Sequence, residues 1–314
     1  MSVSVPVFTG ADVEAAVSPA RAVEVVRNAF VAHARGEWSM SPKVYVTNYP
    51  AGDFRAMPAL GGGYALLKWI TSFPGNPARG LPTVTGIVLV SDAETGELRA
   101  LLDAASVTAL RTGAAAVLAA EVLGRADADK AAVIGAGVNG RAAARTFLAR
   151  GGRAVSLWDV DSVRAAHVAE ELGSSVAASR EEALAADLVV TVTPGHEVLI
   201  GDGALRPGQH VSLMGADGPG KAEVADAELV RARLFCDDWE QASHGGELAH
   251  AVESGRIGRE DVVDFGRVLA GEARGRESEA EITLFDSTGL AIQDLAIAVA
   301  ALDAEPQGLA TLAL

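Results

Sequence analysis

Cysteine occurs once in the 314 residues, at Cys236, so the chain can close no internal disulfide. That usage suits a reducing compartment, and a cytoplasmic location is the expectation. The six histidines include no HxxxH or HExxH pair, so no metal site is expected. Basic residues are in deficit, 26 Lys and Arg against 41 Asp and Glu, for a net charge of −15. A phosphate backbone would be repelled by that field, so nucleic acid is not an expected partner. Any anionic ligand must be held by local cations working against the overall charge. Runs of about 18 apolar residues, the length of a membrane-spanning helix, are also missing. The nearest, Leu284 to Leu302, contains Asp286, Gln293 and Asp294 and reads as a buried strand and helix. The N-terminus shows no basic start followed by a signal-length apolar run, and no membrane partner is expected.

With 49% hydrophobic and 21% charged residues, the sequence has the composition of a globular protein with ample core for two domains. Its most informative stretch is Lys130-Ala-Ala-Val-Ile-Gly-Ala-Gly-Val-Asn-Gly-Arg141. An apolar strand-like run leads into Gly135-x-Gly137-x-x-Gly140, and a helical pattern follows to Arg150. In a dinucleotide cradle the first glycine makes the tight turn, the second lets backbone approach the pyrophosphate, and the third lets helix pack closely on strand. The first helical turn, with Val138, Asn139 and Gly140, then presents free N–H groups and a positive dipole end to the anion. A second apolar run, Ala154–Trp158, ends at Asp159, 24 residues after Gly135. A carboxylate near that offset accepts hydrogen bonds from the ribose hydroxyls and repels a 2′-phosphate, so NAD(H) is expected over NADP(H). Arg164 lies close enough to keep the second cofactor in view.

Ser18-Pro19 is a helix start, with an apolar face running to about Ala34. Short β-like runs follow at Val44–Thr47, Phe54–Met57, Ala65–Thr71, Thr83–Ser91 and Leu98–Leu102, with a hairpin turn at Asp92–Gly96. Gly61-Gly62-Gly63 marks a turn or a close backbone approach. An alanine-rich helix is expected over Ala104 to Leu123. From Lys130 the rhythm alternates strand and helix, with strands at Ala131–Ile134, Ala154–Trp158, Leu188–Thr193, His210–Met214, Arg233–Cys236 and near Ile282–Phe285. The helix Leu290–Ala301 is expected to end the chain. Alternation of this kind predicts an α/β fold with a Rossmann-type doubly wound parallel sheet. The expected domains are 117–290 for the dinucleotide, and 1–116 plus 291–314 as an α+β domain for substrate and dimerisation.

Several residue patterns in order along the chain resemble the ornithine cyclodeaminase/mu-crystallin family: Phe54-Arg-Ala-Met-Pro58, Lys68-Trp-Ile, Pro74-Gly-Asn-Pro77, Leu81-Pro-Thr-Val84, Leu110-Arg-Thr-Gly-Ala114, Ile134-Gly-Ala-Gly137, Gly215-Ala-Asp-Gly-Pro-Gly-Lys-Ala-Glu223 and Ser287-Thr-Gly-Leu-Ala-Ile-Gln-Asp294. The resemblance implies a homodimer built through the N-terminal domain, with the last helix returning to it. It also implies hydride transfer between nicotinamide and the α-carbon of a small amino or imino acid.

Arg111, a guanidinium that needs an anion, matches a substrate carboxylate bidentately, and the resemblance gives it that role; a salt bridge to Asp103 is the alternative. Lys68 lies in an apolar strand, where burial lowers a lysine pKa toward neutrality. It matches the family's catalytic lysine, the alternative being an edge-strand lysine reaching water. Asp217 sits in a Gly- and Pro-rich loop after a strand and matches the catalytic aspartate; the alternative is an Asx turn. Lys43 stands where several family members carry an arginine as a second carboxylate clamp, and it lacks the bidentate fork. Asp294 orients a substrate amine or caps a neighbour. Thr112 is a candidate contact for cofactor phosphate or substrate, Thr193 should lie near the cofactor ribose, and Ser287 and Gly289 near the nicotinamide. Arg55 and Arg79 are further candidate clamps but read first as surface charge, and His196, His244 and His250 as structural or exposed.

The function expected is an NAD(H)-dependent oxidoreductase of the alanine dehydrogenase or cyclic ketimine reductase type. Ornithine cyclodeaminase, which would give proline and ammonia with catalytic NAD, is the second reading. A mu-crystallin-like binding protein is the third, and the joint presence of Lys68, Arg111 and Asp217 argues against it.

Overall fold

The computed structural model describes residues 4–195, 197–218 and 220–314. The chain divides into two compact units, Met1–Arg111 with Leu290–Leu314, and Thr112–Gly289.

The first unit is a sheet with helices packed on it. Its elements are β1 (Ser4–Phe8), α1 (Gly10–Ala16), α2 (Pro19–Ala34), β2 (Ser39–Met40), β3 (Val44–Asn48), β4 (Gly52–Gly61), β5 (Tyr64–Ser72), β6 (Val84–Asp92) and β7 (Leu98–Asp103). Ser18 caps α2 by accepting a hydrogen bond from the Arg21 amide, and Pro19 holds the first helical position. Thr9 and Asp12 cap α1 reciprocally. Strands β4 to β7 form an antiparallel meander, and β1 joins β7 in parallel. The glycine run makes the β4–β5 turn: Gly62 and Gly63 have φ of +60° and +83°, and a Cβ on Gly61 would lie 2.3 Å from the Trp38 ring. A strand missed in the sequence, Ala310–Ala313, follows the last helix and pairs with β1, so that helix does not end the fold.

Alternation decides what β5 shows to each side. Leu66, Lys68 and Ile70 are buried, while Leu67 and Trp69 lie on the opposite face. The last helix, Ala291–Asp303, packs on α2, β4 and β5. On the other face Phe54 stacks with Trp69 at 5.7 Å, and Leu67, Trp69 and Ile87 remain substantially exposed.

The second unit takes up the long helix α3 (Ala104–Leu123) from Thr112 onward. By length and composition α3 is apolar enough to cross a membrane, although Arg111 and Glu121 interrupt its apolar run. Of that window 78% is buried, as in a core helix. Beyond it come β8 (Lys130–Ile134), α4 (Val138–Arg150), β9 (Ala154–Trp158), α5 (Ser162–Leu172), β10 (Ser175–Val176), β11 (Leu188–Thr191), β12 (His210–Leu213), β13 (Arg233–Cys236), β14 (Val262–Asp264) and β15 (Thr283–Asp286). The sheet order is β10-β9-β8-β11-β12-β15-β13-β14, and every pairing is parallel. Its central strands are buried on both faces, which is why β8 and β11 read as apolar runs. The order runs outward both ways from β8 and β11, and a doubly wound sheet of this kind opens its ligand crevice at the carboxyl ends there.

One polar chain crosses this core. The Arg276 guanidinium donates to the Leu123 carbonyl and to Thr283 Oγ1, which lies 2.9 Å from His210 Nδ1. His210 Nε2 is 3.0 Å from Ser212 Oγ, which donates to the Ala116 carbonyl. Thr283 Oγ1 also donates to the Leu123 carbonyl at 2.9 Å, and the buried ring between the two hydroxyls is assigned as neutral, one nitrogen donating and the other accepting. Burial, with Arg276 nearby, pushes the His210 pKa down to about 3. The unfolded chain therefore binds the proton at a higher pH than the folded one, so stability is fully present above about 6.5 and is lost as pH falls. By pH 5 the loss from this group is about 2 kcal/mol. Urea titrations of wild type and His210→Gln at pH 7 and pH 5 should show the gap between them shrinking by about that amount; a constant gap contradicts the assignment.

Candidate functional site

The turn between β8 and α4 has the geometry of an anion cradle. Gly135 has φ of +105°, and a Cβ there would lie 2.7 Å from the Val192 carbonyl. A Cβ on Gly140 would lie 1.7 Å from the Gly135 carbonyl, so the third glycine is where helix crosses turn. Gly137 is the N-cap of α4 and supplies no side-chain cap, while a Cβ on it would meet nothing within 4 Å. Room and uncapped first-turn N–H groups of Val138, Asn139 and Gly140 therefore coincide. Gly113 lies against the Ala142 backbone, so α3 abuts α4 here. The adjacent Thr112 hydroxyl is buried and has no hydrogen-bond partner among the described residues. A buried unpaired hydroxyl is costly unless a ligand completes it. These features fit a dinucleotide.

Asp159 stands directly after β9, and its carboxylate accepts from the Ala136 amide at 2.7 Å and the Asp161 amide at 2.8 Å. It thereby ties the glycine turn to the end of β9. Arg164 reaches Asp159 at 3.4 Å and Asp161 at 3.1 Å, so its guanidinium already sits between two carboxylates. That arrangement leaves a 2′-phosphate facing negative charge. Asp159→Ala should weaken NAD(H) binding about tenfold and narrow the preference over NADP(H), because Arg164 then keeps only Asp161. Titration of both nucleotides against the variant checks this, and an unchanged preference removes Asp159 from the ribose site.

The other loops at the carboxyl ends of this sheet are closed by carboxylates that the sequence did not mark. Glu223 is fully buried and accepts from Thr191 Oγ1, the Thr193 amide and hydroxyl, and the Gly215 amide. Its own amide donates to Glu247 at 2.8 Å. Burial pushes both carboxyls upward, and Glu247 further because Glu223 and Asp286 lie close. Asp237 accepts from Ser287 Oγ at 2.9 Å and the Gly289 amide at 2.8 Å. Thr193, Ser287 and Gly289 thus have side-chain or backbone donors held by protein acids. Asp217, in the loop after β12, forms an ion pair with Lys221 at 2.5 Å. The one signal for Glu223 and Asp237 was position, an acid closing a glycine-rich loop or directly following a strand. His244 and His250 are exposed, the latter paired with Asp226 at 2.8 Å, and His196 lies outside the described residues.

In the first unit, Lys68 occupies the middle of β5 and is 1% exposed, which excludes an edge-strand lysine reaching water. Its Nζ lies 2.6 Å from Asp294 Oδ2 and donates to Thr108 Oγ1 at 3.4 Å. Burial pushes the Lys68 pKa down to about 8, helped by the charges of Arg111 and Lys43 and opposed by Asp294. Arg111 lies two turns into α3. It approaches Asp294 at 3.5 Å and Gln293 at 3.4 Å, contacts at the outer limit of a hydrogen bond. Asp103 is not its partner; that carboxylate caps α3 at the Ser106 amide. Asp294 is thus fully buried beneath two cations. Arg55, expected on the surface, is buried, bonded to Asp53 at 2.6 Å and placed over the Tyr45 ring, whereas Arg79 is exposed. Strand alternation turns Arg55 inward with Met57.

The chain is similar to proteins of known activity. An alanine dehydrogenase from Archaeoglobus fulgidus is 42% identical over 298 residues, covering 93% of this chain and 92% of the relative. The solved structure of an archaeal alanine dehydrogenase dimer with bound NAD superposes with a TM-score of 0.93 at 39% identity, covering 99% of each chain. A Thermococcus litoralis Δ1-pyrroline-2-carboxylate reductase in complex with NADH and L-proline gives 0.90 at 26% identity, covering 96% of this chain and 97% of that one. A sequence profile of the ornithine cyclodeaminase/mu-crystallin family matches residues 5–305, and the chain belongs to that family.

Proposed function

We propose that this chain is an NAD(H)-dependent oxidoreductase acting at the α-carbon of a small amino or imino acid, of the alanine dehydrogenase type. The observation that carries the reading is Lys68, an ammonium enclosed in a strand, poised near pH 8 and held by a carboxylate. A lysine so placed can give a proton to a substrate nitrogen or take one from it near neutral pH. The archaeal alanine dehydrogenase relatives, matched almost end to end, support the oxidoreductase class over a cyclodeaminase. A nicotinamide bound at the β8–α4 cradle supplies the acceptor or donor of hydride.

The residues of this chain do the rest. Arg111, with its fork only loosely engaged, and Lys43 receive the substrate carboxylate. Asp294 keeps Lys68 positioned. Asp217 handles a proton of the attacking or leaving water. Thr112 and the first turn of α4 take the cofactor phosphates. The apolar face on which Leu67, Trp69 and Ile87 are exposed suits a second copy of the chain, and a buried single thiol suits the cytoplasm.

Incubation of the pure protein with NAD+ and a panel of L-amino acids, recording both NADH and ammonia, tests the reading. NADH accumulating in step with oxo-acid product is the expected result. Ammonia from ornithine or lysine without net NADH would make the chain a cyclodeaminase. Binding of NADH with no turnover of any kind would make it a binding protein.

A further inference from the structure

We propose that Glu223 is a positioning residue for this chemistry, holding the Asp217 loop and the Thr193 turn in one frame through a single buried carboxylate. The proposal rests on the oxidoreductase reading above. Four donors converge on Glu223 from two strand ends: Thr191 Oγ1 at 2.7 Å, the Thr193 amide at 2.8 Å, Thr193 Oγ1 at 2.6 Å and the Gly215 amide at 3.0 Å. The fit is steric as well, since a Cβ on Gly215 would lie 2.4 Å from the Glu223 carboxyl carbon. Gly215 opens the loop that carries Asp217 and Lys221, and Glu223 ends it, so one side chain fixes both ends of the segment. The loop is also keyed to the neighbouring turn, where the Ala222 amide donates to the Gly195 carbonyl at 2.9 Å. The amides of Glu223 and Val224 are held in turn by Glu247.

The two oxygens divide the work. Oε1 takes both Thr193 donors, and Oε2 takes Thr191 and Gly215. Glu223→Gln keeps the volume. An amide oxygen at the first position still accepts from Thr193. The amide nitrogen at the second can meet the Thr191 hydroxyl as an acceptor, but it faces the Gly215 N–H donor to donor. The substitution therefore releases the Asp217 side and leaves the Thr193 side in place.

Steady-state kinetics on the substrate identified by the panel, with NADH titrations, should show kcat of Glu223→Gln about 30-fold down and NADH affinity within about threefold of wild type. A residue acting through Asp217 must lose most of its effect once Asp217 is altered. Glu223→Gln in an Asp217→Asn background should therefore cost less than about threefold. An unchanged kcat in the single variant, or an undiminished effect in the double variant, overturns the proposal. If Glu223→Gln does not fold, Gly215→Ala loads the same contact from the other side and is read against the same thresholds. If the wild type turns over no amino acid, the oxidoreductase reading fails by itself, and amide exchange decides the clamp. Faster exchange at Gly215 than at Thr193 in Glu223→Gln supports it, and equal change at both ends refutes it.

Discussion

Lys68→Met should reduce turnover at least about a thousandfold while NADH affinity stays within about twofold of wild type. The reason is local to the first unit. Lys68 is 1% exposed, so its ammonium is surrounded by protein, and burial has already brought its pKa to about 8. Methionine fills the same space but carries no proton, so a general acid–base group is removed without opening a cavity. The cradle for the dinucleotide lies in another unit and keeps its glycines and Asp159. The substitution also leaves Asp294, fully buried, with Arg111 at 3.5 Å as its remaining ion-pair partner, so a fall in melting temperature should accompany the loss of activity. Wild-type turnover in the direction of amino-acid oxidation should rise with pH through about 8, as the neutral amine becomes available, and Lys68→Arg should not restore it because guanidinium stays protonated there. Single-turnover kinetics with pre-bound NAD+ separate this from slow product release; retained hydride transfer in Lys68→Met would contradict the role given to it.

The second large effect concerns two glycines that the motif treats alike and the structure separates. Gly140→Ala puts a Cβ 1.7 Å from the Gly135 carbonyl, so the start of α4 must move. Both stability and dinucleotide affinity should fall, the affinity at least about a hundredfold. Gly137→Ala meets nothing within 4 Å in the protein, and its backbone (φ −72°, ψ −170°) is extended and open to any residue. Its melting temperature should stay within a degree or two of wild type. Affinity for NAD(H) should still fall at least tenfold, because the methyl takes the space through which backbone approaches the pyrophosphate. Calorimetric titration together with thermal melts of both variants checks the contrast. Full affinity in Gly137→Ala would move the pyrophosphate away from this turn.

Local pattern carried a large share of the architecture. Three glycines at fixed spacing after an apolar strand specify a turn and a helix start within a dozen residues, so the β8–α4 cradle and Asp159 were readable directly. The alanine-rich composition likewise set the helix Ala104–Leu123, and apolar runs announced β8 and β11, which are buried on both faces. The apolar residues around Lys68 placed it in a strand. What that lysine pairs with was not readable, because Asp294 comes from the far end of the chain and reaches it only when the last helix packs on β4 and β5. Arg55, read as surface charge, turned inward because its strand pairs on both sides and Asp53 receives it. The C-terminal strand was invisible for a similar reason, as its four exposed residues become a strand only by pairing with β1. Glu223 carries no periodic signal at all, and its role follows from two strand ends brought side by side in a parallel sheet. Sequence alone determined most of the elements, since backbone preference and apolar periodicity act over a few residues. Tertiary structure decided which charges meet, because burial leaves each ion only the partners that packing delivers.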